Sequence, residues 1–226
     1  MKVLLCSGGL DSACLFYICG KPITLYIGGS NGAARDANAS EIKALSLLKK
    51  FSEEFAKQFR AILIDLRPFM RANEYKFPRE QLLTMLAWSH GANTVLLGWN
   101  QNDLTNETHI TAMAEKLKGS IDVKVEFPVW YKNKAQIVRE ALQLGATREF
   151  INASFSCVRQ SGSHCGQCDN CIERFVALQL NGIDDTDWAV FPQNSGATKL
   201  YMNKRPDWFQ RQCKEVLERV RYAKRV

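Results

Sequence analysis

The sequence predicts an α/β protein: a parallel sheet of about five strands with helices on both faces, then a metal-binding helical segment. Three observations carry this. Short apolar runs alternate with amphipathic stretches up to about residue 150. A glycine turn follows the first run and opens a helix. Four of the eight cysteines then crowd between Cys157 and Cys171, where the alternation has stopped. The chain has 226 residues, 46% apolar and 23% charged, which excludes disorder and coiled coil. No apolar run approaches the ~18 residues of a membrane span. Met1–Cys6 begins like a leader, but Ser7-Gly8-Gly9 and Asp11 interrupt it before an apolar core can form. A cytoplasmic protein is expected.

Lys2–Cys6 reads as a buried strand, followed by a helix over Asp11–Cys19. Ile23–Ile27 is a second strand, ended by Gly28-Gly29. A long helix is expected from Asp36 to Phe59, with Ile42, Leu45, Leu48, Phe51 and Phe55 on one face. Ala61–Ile64 is a third strand, Arg79–His90 a helix and Thr94–Gly98 a fourth strand. Ile110–Leu117 reads as a helix and Asp122–Phe127 as a fifth strand. Lys132–Leu144 is a helix closed by Gly145. Ligands of such a sheet bind at the carboxyl ends of its strands. The loops at Ser7, Gly28 and Trp99 lie at that edge.

The first loop, Ser7-Gly8-Gly9-Leu10-Asp11-Ser12, suits an anion. Adjacent glycines let the backbone turn with positive φ and approach a ligand closely. Loop and first-turn N–H groups then converge at the positive end of the helix dipole. Asp11 fits beside phosphate as a helix cap or as the ligand of a bridging metal ion. The loop lacks the Gly-Lys-Ser/Thr of a Walker loop and the third glycine of a dinucleotide fingerprint. A lone Ser-Gly-Gly is usually only a turn and cap; the strand–turn–helix context favours a site.

Cys157, Cys165, Cys168 and Cys171 have the spacing of a closed zinc site, with Gly166 allowing the tight turn. Free thiols, disulfides and an iron–sulfur cluster are the competing readings. His164 stands beside a complete thiolate set and reads as a bystander. Cys6, Cys14 and Cys19 read as buried apolar residues. Net charge is +7, and from Lys199 onward nine Lys/Arg face three acids. That surplus fits either a solvated helix face or a surface for an anionic partner, nucleic acid included.

Ser7–Ser12 resembles the pyrophosphate loop of the PP-loop ATP pyrophosphatases, whose fold is Rossmann-like (HUP-type). The resemblance implies that Ser7, Gly8, Gly9, Leu10, Asp11 and Ser12 hold ATP and magnesium. It places adenine near Tyr26 to Gly28. Ser154-Phe155-Ser156-Cys157 and His164-Cys165-Gly166-Gln167-Cys168-Asp169-Asn170-Cys171-Ile172-Glu173-Arg174 are similar to the C-terminal part of the QueC (7-cyano-7-deazaguanine synthase) family. Pro78-Arg79, the strand ending at Gly98, and Pro128–Ile137 with Lys134 resemble its middle stretches. The chain departs from that family after the second strand, at Tyr26-Ile27-Gly28-Gly29-Ser30-Asn31. It also departs after Gly98, where only Asp103 is kept ahead of Leu104–His109.

The resemblance implies an ATP-dependent ligase that adenylates 7-carboxy-7-deazaguanine and couples it to ammonia. Lys134 and Arg79 would be cationic stabilisers, and Asp103 or Glu107 would read the guanine-like edge. Trp99, Trp130 and His109 are weaker candidates. Three parts are expected: an ATP-binding α/β domain over 1–150, a four-cysteine zinc segment over 151–182 and a basic helical extension over 183–226, the stretch from Trp188 to Val226 having no counterpart in the resemblance. A homodimer is expected. Alternatives are a QueC-like antiphage-defence enzyme that joins the deazaguanine to a protein N-terminus, and a zinc-containing nucleic-acid-binding module.

Overall fold

The computed structural model describes residues 1–28, 35–63, 70–71, 74–75, 79–101, 122–159, 163–184, 188–192 and 196–223. Five parallel strands form one sheet: β1 (Lys2–Leu5), β2 (Ile23–Gly28), β3 (Phe59–Leu63), β6 (Thr94–Leu96) and β7 (Lys124–Glu126). Their order is β3-β2-β1-β6-β7, with Val3 facing Ile23 on one side and Val95 on the other. Two-residue strands β4 (Met70–Arg71) and β5 (Glu74–Tyr75) make a small antiparallel pair that the apolar pattern did not announce.

The helices are α1 (Leu10–Ile18), α2 (Arg35–Phe51), α3 (Glu53–Gln58), α4 (Arg79–Ser89), α5 (Lys134–Gln143), α6 (Arg148–Ala153), α7 (Asp169–Leu180), α8 (Gly196–Met202) and α9 (Asp207–Ala223). Residues alternate across the pleat. Leu4, Cys6, Tyr26 and Leu96 face a core with α1, α2, α3, α5, α6 and α7. Val3, Leu5, Leu25, Ile27, Val95 and Leu97 face a second core with α4. Both faces are thus covered, as wholly apolar strands require. Phe55 anchors the first core, its ring 5.1 Å from Phe16 and 5.6 Å from Phe150. A third cluster, from Ile172, Phe175 and Val176 to Tyr201, Phe209, Cys213 and Val216, seats α8 and α9 on α7.

The expected helix from Asp36 to Phe59 is two helices. Ser52 has extended backbone (φ −147°, ψ 109°) and its hydroxyl accepts the Phe55 N–H at 3.1 Å. The same hydroxyl accepts from Tyr17 at 3.3 Å, so the break is fixed by α1. Leu45, Leu48 and Phe55 are buried as expected, but Ile42 and Phe51 are exposed. Phe59 opens β3 rather than closing a helix. α5 begins at Lys134 behind a capping box, in which Asn133 and Gln136 satisfy each other's backbone N–H groups. Gly145 follows α5 at φ +94°, the left-handed closing residue expected. The expected helix over Ile110–Leu117 lies outside the described residues. Among the described residues, no helix is long and apolar enough to cross a membrane.

Phe55 is fully buried and touches both Phe16 and Phe150. Phe55→Ala is expected to cost about 3–5 kcal/mol through transfer and cavity terms. Denaturant unfolding checks this as a lowered midpoint at unchanged slope.

Candidate active site and metal centre

Strand order reverses between β1 and β6, and the loops following these two strands lie side by side. Gly8 has φ +79°, and a Cβ there would stand 3.2 Å from Ala44 Cβ and Glu41 O. The turn is therefore pressed against α2 and needs glycine on two counts. Gly9 is the N-cap of α1, and its N–H donates to Ser7 Oγ at 3.4 Å. Leu10 is buried beneath the turn. Ser12 Oγ donates to Gly9 O at 3.1 Å. A Cβ at Gly98 would lie 3.6 Å from Asp11 Cβ and Ser12 N, so the loop after β6 packs on the glycine turn.

Tyr26 is buried, and its hydroxyl donates to Glu41 Oε2 at 3.0 Å. Gly28 ends β2 opposite Leu63. Arg79 is the first residue of α4; its side chain lies outside the described residues, as do Asp103, Glu107 and His109. The Trp99 ring sits 5.8 Å from Phe127, while Trp130 is exposed and rests on Tyr131.

Lys134 is buried at 6% exposure. Its Nζ lies 3.0 Å from Asp11 Oδ2 and 3.1 Å from Glu173 Oε2. Two carboxylates beside a buried ammonium offset the cost of taking its charge out of water. Asp11 Oδ1 is buried without a hydrogen-bond partner among the described residues. On the far side, Glu173 Oε1 accepts from Arg205 Nη2 at 3.1 Å and from the Tyr201 hydroxyl. Burial, then the adjacent Glu173 carboxylate, push the Tyr201 phenol above its usual range, so it remains the donor. Glu173, Tyr201 and Arg205 were not foreseen. A Glu in the first turns of a helix reads as surface charge, and only Glu173's place next to the resemblance-bearing Arg174 hinted at more.

The four cysteines converge. The Sγ atoms of Cys157, Cys165, Cys168 and Cys171 lie within 4.8 Å of one another. Cys165 and Cys171 sulfurs are 3.8 Å apart, which matches the edge of a tetrahedron with Zn–S of about 2.3 Å. Backbone N–H groups of Gln167 and Cys168 donate to Cys165 Sγ at 3.4 and 3.3 Å, contacts that steady a thiolate ligand. Hydrogen bonding from Cys171 pulls the Cys168 thiol down to about 4. The set fits a tetrahedral metal such as zinc, held by four thiolates.

Gly166 makes the turn at φ +69°, where a Cβ would fall 1.6 Å from Val190 O. His164 is not a member of the set: its Nε2 accepts the Ser156 N–H at 3.2 Å, and its ring lies between Phe155 and Trp188. Arg174 is fully buried and donates to Ser154 Oγ at 2.7 Å and to Asn152 O at 3.2 Å. The remaining thiols are packing groups. Burial pushes Cys6 and Cys14 up, Cys19 to about 11 and Cys213 to about 12, so little thiolate exists at neutral pH.

The metal segment and the glycine turn touch directly: the Phe155 N–H donates to Gly8 O at 2.9 Å. The family described as "Queuosine biosynthesis protein QueC" matches residues 80–182. Over that segment the chain is QueC-like. A 7-cyano-7-deazaguanine synthase of Chlorobium luteolum is 46% identical over 67 residues, 29% of this chain and 28% of that protein. Synthases of Brucella ovis and Brucella canis are 37% identical over 79 residues, 35% of this chain and 33% of theirs. The matched stretch thus spans 28% to 33% of the length of these curated relatives. The QueC-like segment contains Gly98, Asp103, Lys134 and all four cysteines, whereas the glycine turn lies outside it. Lys134, Phe155 and the loop at Gly98 each join that turn to the QueC-like segment.

Gly166 and Gly182 offer a matched test. Both have positive φ, but a Cβ at Gly182 meets open space. Gly182→Ala is expected to cost only the left-handed backbone, about 1–2 kcal/mol, with full metal content. Gly166→Ala is expected to lose metal and to expose the Ala189 amide, which donates to His164 O at 2.7 Å. Metal analysis and hydrogen exchange at Ala189 check both.

Proposed function

We propose that the chain is an ATP-dependent ligase acting on a 7-deazaguanine carboxylic acid, with zinc in a structural place. The observation that carries this is the meeting of Asp11 and Lys134 at 3.0 Å. It sets a glycine turn of phosphate-binding character against the QueC-like segment, at the switch point of a parallel sheet. Asp11 Oδ1, buried and without a hydrogen-bond partner among the described residues, suits a magnesium ion that offsets phosphate charge. The relatives' printed name, 7-cyano-7-deazaguanine synthase, supports the acid as substrate.

In this reading the triphosphate lies across Ser7–Ser12 and meets loop N–H groups and the end of α1. Lys134 Nζ turns to the phosphates, and Arg79 supplies a second cation. Gly98 and the edge beyond Tyr26 and Gly28 border the adenine, and Asp103 accepts from the guanine-like edge. The carboxylate oxygen of 7-carboxy-7-deazaguanine attacks the α-phosphorus, and the α–β bond breaks to release pyrophosphate. Ammonia attacks the acyl carbon, loses a proton, and expels AMP to give the amide. A second ATP adenylates the amide oxygen and releases pyrophosphate; loss of both protons from nitrogen and departure of AMP leave the nitrile. Positioning and fixed charge carry most of such chemistry. Four thiolates fill a tetrahedral metal, so it contributes shape rather than a reacting site.

The test is release of pyrophosphate and AMP from ATP with magnesium, 7-carboxy-7-deazaguanine and ammonium. Release is expected to require the acid. Asp11→Asn keeps the shape of the side chain and is expected to lower kcat/KM about 10²-fold, the scale of one preorganised charged group. No release from metal-replete protein would reject this substrate.

A further inference from the structure

Residues beyond 182 lie outside the QueC-like match, yet two of them reach the charge cluster at the glycine turn. Arg205, between α8 and α9, places Nη2 3.1 Å from Glu173 Oε1 and its guanidinium 4.4 Å above the Tyr201 ring. The Tyr201 hydroxyl donates to the same oxygen. Glu173 therefore divides its carboxylate: Oε1 faces the C-terminal helices, and Oε2 faces Lys134 at 3.1 Å. Lys134 in turn reaches Asp11 at 3.0 Å. Glu173 is 3% exposed and Lys134 6%, so each charge acts on the next with little screening. Asp169 adds a peripheral contact to Arg205 at 3.9 Å.

We propose that α8 and α9 act as a positioning element for the glycine turn. Tyr201 and Arg205 hold Glu173, and Glu173 sets how firmly Lys134 is retained beside Asp11. The use made of Lys134 rests on the function proposed above; the coupling itself does not. Two cations and two carboxylates alternate along the chain Asp11, Lys134, Glu173, Arg205. Loss of Arg205 leaves Glu173 with a single cation. The carboxylate then binds Lys134 more tightly, and an incoming triphosphate competes less well for Nζ. Loss of the Glu173 charge has the opposite effect on Lys134.

Charge coupling and simple loosening predict different signs. Trace labelling of the metal-replete, full-length protein with acetic anhydride, read by peptide mass spectrometry, reports the reactivity of Lys134. Arg205→Ala is expected to slow its acetylation and Glu173→Gln to speed it, each about threefold or more, the scale of coupling inside one network. Arg205→Lys restores the wild-type rate. Tyr201→Phe, which removes one donor to the same oxygen, slows the reaction and serves where Arg205→Ala does not fold. Unchanged rates in Arg205→Ala and Tyr201→Phe, or acceleration in every variant, overturn the inference. In the pyrophosphate assay, Arg205→Ala raises KM for ATP about tenfold with a smaller change in kcat, and Arg205→Lys rescues it. A wild-type protein that releases no pyrophosphate defeats the ATP reading, while the acetylation rates still judge the coupling.

Discussion

A buried lysine held between two carboxylates governs the arrangement around it. Lys134 is 6% exposed and stands between Asp11 and Glu173, whose carboxylates offset the cost of burying an ammonium. Those three residues begin or lie early in three helices, α1, α5 and α7. The requirement to surround one ammonium therefore draws three helix starts to one place at the carboxyl edge of the sheet. The capping box of Asn133 and Gln136 serves the same end, because it fixes where α5 begins and so where its first side chain points.

The four-cysteine cluster stands next to the third of those partners, Glu173. Cys168 is the N-cap of α7 and Cys171 lies within its first turn, so a metal held by these thiols would fix the axial position of that helix. Glu173 follows Cys171 by two residues and takes its place from it. Arg174 braces the other face of α7 against Ser154 and Asn152. Between that brace and the cysteines, Phe155 hydrogen-bonds to Gly8. A thiolate site with no open position can thus influence the glycine turn through rigid elements and short contacts. Metal binding of this type is folding free energy for the segment that carries the ligands.

How much could be read from sequence follows from the range of each signal. The glycine turn and the cysteine spacing are local, and both appear where expected. The strands were legible because apolar runs covered on two faces leave no polar alternation to obscure them. The break at Ser52 was hidden because Phe51 and Phe55 continue a helical spacing across it. Ser52 followed by Glu53 and Glu54 does carry the signature of a new helix start, and the apolar period outweighed it. Glu173 was illegible for a different reason. Its partners lie 39 residues before it and 32 residues after it in the chain, and spacing over such distances has no period to detect.

The basic end of the chain shows the same limit of composition. Nine Lys/Arg from residue 199 onward fitted either a solvated helix face or a surface for an anionic partner. The structure divides them. Arg205 turns inward to Glu173, and Arg219 pairs with Glu215 at 2.5 Å on its own helix. Lys199, Lys204, Arg211 and Lys214 are exposed. On α9, Phe209, Cys213 and Val216 recur at helical spacing and are buried against α7 and α8. A helix docked by that stripe must carry polar residues on its outer side whatever it binds, so its exposed charge follows from packing. Arg205 has no such explanation: it stands between the two helices, is three-quarters buried, and points at a carboxylate already holding a lysine. Among the described basic residues in this end of the chain, it is the one whose position reports on the glycine turn.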